Sequence, residues 1–104
     1  MTIRTTNKSA RSHVQNQTLF QGSNVFSEFM DGLYTVYSYG YHFPLFIYDP
    51  TNRQWLENAD SYSPTTARHR SQLRPTANTI KCTNKQMKAV INAGSITGII
   101  QDPN

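Results

Sequence analysis

Seven of the twelve aromatic residues fall within fifteen positions, from Tyr34 to Tyr48. Tyr, Phe, Val and Ile in such density favour the pleated, half-buried surface of a β-sheet. Pro44 lacks a backbone donor, so one central strand cannot run straight through the block. The block therefore divides into a strand over residues 34–39, a bend over 40–44 and a second strand over 45–48. Asp49, Pro50, Thr51 and Asn52 follow, with Asp at the first and Pro at the second position of a type I turn. Residues 53–57 then alternate with Trp55 on one face and complete a hairpin. The expected unit is a three-stranded meander.

Fewer signals flank this block. Residues 1–22 are rich in Thr, Asn, Gln and Ser, and Leu19 and Phe20 are their one apolar pair. They read as a flexible polar arm. Val25, Phe26, Phe29, Met30 and Leu33 share the spacing of one helical face, which gives a short helix over 25–31 that Ser23 or Asn24 would cap and Gly32 would end. Ser63 and Pro64 resemble a helix start. The stretch after them holds only Ala67 and Leu73 as apolar residues, and so reads as a helix or as an ordered loop. Thr83 and Gln86 stand at capping-box spacing, Met87, Val90 and Ile91 form an apolar stripe, and Gly94 closes the helix. Residues 95–101 read as a short edge strand. The fold class is α+β: a small antiparallel β-meander with a short N-terminal helix and a C-terminal amphipathic helix, in one domain over 23–104.

Composition narrows the class further. A chain of 104 residues fits one domain. Ser, Thr, Asn and Gln number 37, nearly matching the apolar residues, yet twelve aromatics and a net charge of +4 argue against wholesale disorder. No stretch approaches the roughly 18 apolar residues of a membrane helix. Cys82 stands alone, which excludes an intrachain disulfide and a multi-cysteine zinc site. The expectation is a cytosolic soluble protein without membrane contact. A domain this small with many aromatics also gives the expectation of a homodimer.

Charge is sorted along the chain. Residues 1–27 carry three bases and no acid, and residues 28–60 hold five of the six acids against one base. Residues 61–101 contain Arg68, Arg70, Arg74, Lys81, Lys85 and Lys88 with no acid. That asymmetry points to a polyanionic partner. Alternatively, the acidic middle and the basic segment are neighbours in the fold and neutralise each other.

Tyr37, Tyr39, Tyr41 and Phe43 share one parity, and in an unbroken strand they would line one face. Bases can stack on such rings while Arg and Lys follow the phosphates of a single strand. The same residues suit a protein interface, where Tyr and Arg are enriched. They are equally the material from which a domain poor in aliphatics builds its core. Catalytic signals are weaker. His13, His42 and His69 lack metal-ligand spacing, and no metal or cofactor is expected. His42 and His69 are the candidates for acid and base in a metal-independent nuclease. With 21 Ser and Thr residues, a hydroxyl near a histidine arises by chance.

Two strings are more distinctive than composition explains: YSYGYHFP at 37–44 and YSPTTARHRSQ at 62–72. With Trp55 between them, they resemble the paired signatures of a group of small phage-encoded proteins without an assigned activity. The resemblance spans about residues 34–75 and implies a viral origin and action in the host cytoplasm. It sets Tyr39, Gly40, His42, Phe43 and Pro44 beside Tyr62, Ser63, Thr65, Thr66, His69, Ser71 and Gln72. Those hydroxyls, amides and imidazoles, with Arg68 and Arg70 near by, make either an anion site or a polar clamp that holds the segment on the sheet. The function expected first is a non-catalytic phage accessory protein that binds nucleic acid. An inhibitor of a host defence protein comes second, and the nuclease third.

Overall fold

A computed structural model describes residues 3–6, 9–22, 24–30, 32–38, 40–41, 43–60 and 64–94. Seven strands form one sheet whose spatial order is the order of the chain. They are β1 (Ile3–Arg4), β2 (Phe20–Gln21), β3 (Val25–Met30), β4 (Leu33–Ser38), β5 (Pro44–Asp49), β6 (Gln54–Asn58) and β7 (Thr79–Cys82). The helices are α1 (Ala10–Gln15), α2 (Pro64–Leu73) and α3 (Asn84–Ala93). The fold is thus α+β, with four antiparallel pairings in the middle of the sheet. The outermost pairs, β1/β2 and β6/β7, are parallel, with α1 and α2 as their crossovers. No helix among the described residues is long and apolar enough to cross a membrane.

Helices cover both faces of the sheet. Ala10, Val14 and Leu73 from α1 and α2 pack with Tyr34, Val36, Phe46 and Trp55. Met87 and Val90 from α3 pack with Leu33, Ile47 and Leu56. Consecutive strand residues point to opposite faces, so every residue of β4 is buried. The sheet departs from the sequence reading in two ways. Residues 25–31, whose apolar spacing mimics a helical face, include strand β3, with apolar residues on both of its faces, in register with β4 from Val25↔Ser38 to Met30↔Leu33. The expected simple meander is also too small, because β1, β2, β3 and β7 extend it.

The expected flexible arm, residues 1–22, contains β1, α1 and β2 among the described residues. Ala10, Val14 and Phe20 are fully buried, and the Tyr34 hydroxyl donates to the Thr18 carbonyl at 2.7 Å. Two apolar residues four apart sufficed to dock α1.

Other expectations hold. The turn after β5 is set by Asp49, whose Oδ1 accepts from Thr51 N at 2.9 Å while Oδ2 accepts from Asn52 Nδ2 at 2.9 Å. Pro44 opens β5, where a missing donor costs least. Pro64 starts α2, the helical alternative for that segment, which buries Thr66, His69 and Leu73. At α3 the full capping box forms: Gln86 N donates to Thr83 Oγ1 at 3.1 Å and Thr83 N to Gln86 Oε1 at 2.8 Å. Gly94 ends the helix in the left-handed region at φ 72°. The edge strand expected over 95–101 lies outside the described residues.

Candidate binding surface

The basic segment divides by what its side chains hold. Arg74 Nη2 lies 2.9 Å and Lys81 Nζ 3.2 Å from the buried Glu57 carboxylate, and Thr79 Oγ1 donates to it at 3.0 Å. Burial pushes the Glu57 carboxyl up, but the hydrogen bonds from Thr79 and Lys81 and the charges of Arg74 and Lys81 outweigh it and hold its pKa below the ordinary value. Arg70 Nη1 donates to the Asn58 carbonyl at 2.7 Å and the Asp60 carbonyl at 3.3 Å. Half of the six bases expected to track phosphate therefore serve the fold. Arg68, Lys85 and Lys88 are exposed, and Lys85 and Lys88 stand one turn apart on α3.

The second distinctive string turns two of its residues inward. Thr66 and His69 face the sheet from α2 and are buried, at 1% and 3% exposure. His69 Nδ1 lies 2.9 Å from Oγ of Ser38, which is itself fully buried. Burial and the neighbouring Arg68 charge lower the His69 pKa, so its neutral form is favoured. An imidazole this enclosed has little access to a phosphodiester. Thr65 and Gln72 are half-buried and Ser71 is exposed; Ser63 and His42 lie outside the described residues. Asn58 extends the polar seam, donating through Nδ2 to the Pro44 carbonyl at 2.8 Å and to Asn84 Oδ1 at 2.9 Å. Asp60 Oδ2 accepts from Asn84 N at 2.7 Å, at the start of α3.

The four-residue aromatic face does not form. β4 ends at Ser38, the β4/β5 register shifts at Val36 and Tyr37, and the chain bends at Gly40 with φ 103°. Phe43 joins the α1/α2 core. Tyr37 lies on the α3 face, buried, and Tyr39 is outside the described residues. Tyr41 is 61% exposed.

A different aromatic set takes its place. Phe26 on β3 stacks on Tyr37 with centroids 5.2 Å apart. Tyr41 meets both edge-on, at 5.2 Å from Phe26 and 5.0 Å from Tyr37. This cluster lies on the α3 side of the sheet. On one side of Tyr41 a groove of about 330 Å³ is lined by Tyr37, Lys88, Ile91 and Asn92. On the other, a groove of about 310 Å³ follows β3 where β2 leaves it, lined by Gln21, Phe26, Glu28, Phe29 and Tyr41 among others. The Tyr41 hydroxyl donates to Glu28 Oε1 at 3.4 Å. Burial, with the Glu28 and Tyr41 charges near by, raises the Tyr37 phenol above its ordinary pKa. Phe26, Glu28 and Asn92 were missed from sequence: Phe26 and Glu28 join the surface only once residues 25–30 are a strand. Among the described residues no group of three His, Cys, Asp or Glu side chains could hold a metal ion.

Compared with known protein families, curated proteins and solved structures, the chain matches none.

Proposed function

We propose that the protein is a non-catalytic phage accessory protein that binds single-stranded nucleic acid in the host cytoplasm. The observation that carries this reading is the exposed Tyr41 ring at the mouth of the groove it shares with Tyr37, Lys88 and Asn92. An unpaired base stacks on Tyr41, and Lys88 and Lys85 neutralise the adjoining phosphates. Asn92 supplies an amide at the same wall. The resemblance of the two strings to phage-encoded proteins supports the setting.

Fluorescence anisotropy with short labelled DNA and RNA strands, at several salt concentrations, tests the proposal. Tyr41→Ala is expected to weaken binding about tenfold, since a stacked base contributes roughly 1–3 kcal/mol. Lys88→Ala is expected to lower the salt slope by about one. No binding at low salt, or unchanged affinity in Tyr41→Ala, overturns it.

A second reading, inhibition of a host protein through the same aromatic surface, is favoured by one observation. Glu28 lies under the Tyr41 hydroxyl, where a carboxylate repels phosphate. An interface of that kind would lack the steep salt dependence of counterion release.

A further inference from the structure

We propose that Glu28, with the rings of Phe26 and Tyr41, forms a receptor for an arginine side chain presented by a partner protein. The receptor is the groove on the β2/β3 side of Tyr41, away from Lys88. It rests on the protein-partner reading of this surface and stands apart from the nucleic-acid reading.

The groove exists because β2 and β3 separate after a single register pair, Gln21↔Phe26. Leu19 to Gln21 form one wall and β3 the other, with Tyr41 at the side. Glu28 is directly opposite Thr35 of β4, so its side chain belongs to the α3 face. There α3 packs over β5 and β6, which leaves Phe26, Glu28 and Tyr41 to line the groove.

Two properties of Glu28 call for a cation. Its Oε2 is buried and has no hydrogen-bond partner. Among the described residues no base forms an ion pair with Glu28, so it has no compensating charge in the described fold. An enclosed oxygen of this kind loses free energy until a donor reaches it. A neutral apolar ligand would leave Oε2 unpaired, and an anion would be repelled.

The ring walls choose among cations. Tyr41 is 61% exposed and offers a π face at the groove, with the half-buried Phe26 ring edge-on beside it. Cations are drawn to such faces. A guanidinium is planar, weakly hydrated and able to stack on a ring while it donates to a carboxylate. A lysine ammonium keeps more of its hydration and matches the slot less well. Entry is inexpensive: the Tyr41 bond to Glu28 Oε1 is long at 3.4 Å, and the Tyr41 ring is mostly in solvent. A guanidinium displaces that phenol and gains both carboxylate oxygens.

The test is an NMR titration of the isotope-labelled full chain with the peptide acetyl-Gly-Gly-Arg-Gly-Gly-amide. The comparison peptide carries citrulline, the neutral isostere of arginine. The arginine peptide is expected to shift the backbone amides of Phe26, Glu28, Phe29 and Tyr41, with the citrulline peptide at least about tenfold weaker. Glu28→Gln is expected to weaken the arginine peptide by a similar factor. Equal affinity for the two peptides overturns the proposal, as does undiminished binding in Glu28→Gln or an absence of shifts at millimolar peptide. The citrulline comparison uses the unaltered chain, so it decides the matter even if a variant folds poorly. Oligonucleotide binding is read on a different probe, and either proposal can fail alone.

Discussion

Glu57 and Glu28 occupy central strands of one sheet, on opposite faces, and their surroundings differ completely. Glu57 pairs with Phe46 across β5/β6 and faces the α1/α2 layer. There Arg74, Thr79 and Lys81 converge on both of its oxygens. Glu28 faces the α3 side, with one long bond from Tyr41 and one buried oxygen unpartnered. A carboxylate whose charge is answered inside the chain belongs to the fold. One left unanswered beside an exposed ring is available to something outside it. The same division separates the bases: Arg74 and Lys81 are committed to Glu57, whereas Lys85 and Lys88 are not.

The largest expected effect is at Glu57. Glu57→Gln keeps the shape, removes the charge and leaves Arg74 and Lys81 facing a neutral group. Breaking a fully buried pair costs about 3–5 kcal/mol. The Arg74 and Lys81 side chains are 48% and 59% exposed and regain water, so urea unfolding should show a loss of about 2 kcal/mol. The pH dependence sharpens the point. The native pKa of Glu57 lies below its ordinary 4.5, so its contribution is complete above pH 4.5 and is lost as pH falls through the native value. Glu57→Gln should be flatter than the unaltered chain across that window. A cost below about 0.5 kcal/mol would remove Glu57 from the fold side of the comparison.

A neutral counterpart on the α1/α2 face is His69. Its native pKa lies below the ordinary 6.5, so the unfolded chain takes the proton first. Stability is full above pH 6.5, starts to fall below it, and the His69 share is gone once pH has dropped through the native pKa. His69→Gln should cost about 1 kcal/mol at pH 8 through the altered contact with Ser38. It should also remove the decline that starts at pH 6.5, as thermal melts across pH would show.

The smallest expected effect is the sharpest contrast. Glu28→Gln should leave unfolding free energy within about 0.5 kcal/mol of the unaltered chain, because no partner in the described fold depends on its charge. A loss matching that of Glu57→Gln would break the comparison outright.

The sequence made some of this legible and concealed the rest for identifiable reasons. Signals confined to a few residues came through: the Asp49 turn, the Thr83 capping box, Gly94, and the break at Pro44 between two strands. Thr66 and His69 are buried against the sheet, and Ser38 as the partner of His69 needed the sheet to be seen. β3 was hidden because Val25 and Phe29 face the α1/α2 layer while Phe26 faces the other side, so its apolar residues carry no period of two. α1 was hidden because Ala10 and Val14 alone do not make a visible stripe. Tyr37, Tyr41 and Phe43 share parity in sequence, but the register shift and the Gly40 bend send Phe43 to the opposite layer. Glu28 was invisible as a site residue because its meaning is wholly cross-strand.

The order of the sheet has a further consequence for how the chain reaches this state. Each strand's neighbours in space are its neighbours in sequence. No strand waits for a distant partner, so each loop closed during assembly is short and its entropic cost small. The four hairpins can zip successively, each presenting a fresh edge to the next strand. The parallel pairs close later, because each must first span a helix. The sheet would therefore grow outward from its antiparallel middle, with β1 and β7 docking on its two edges last.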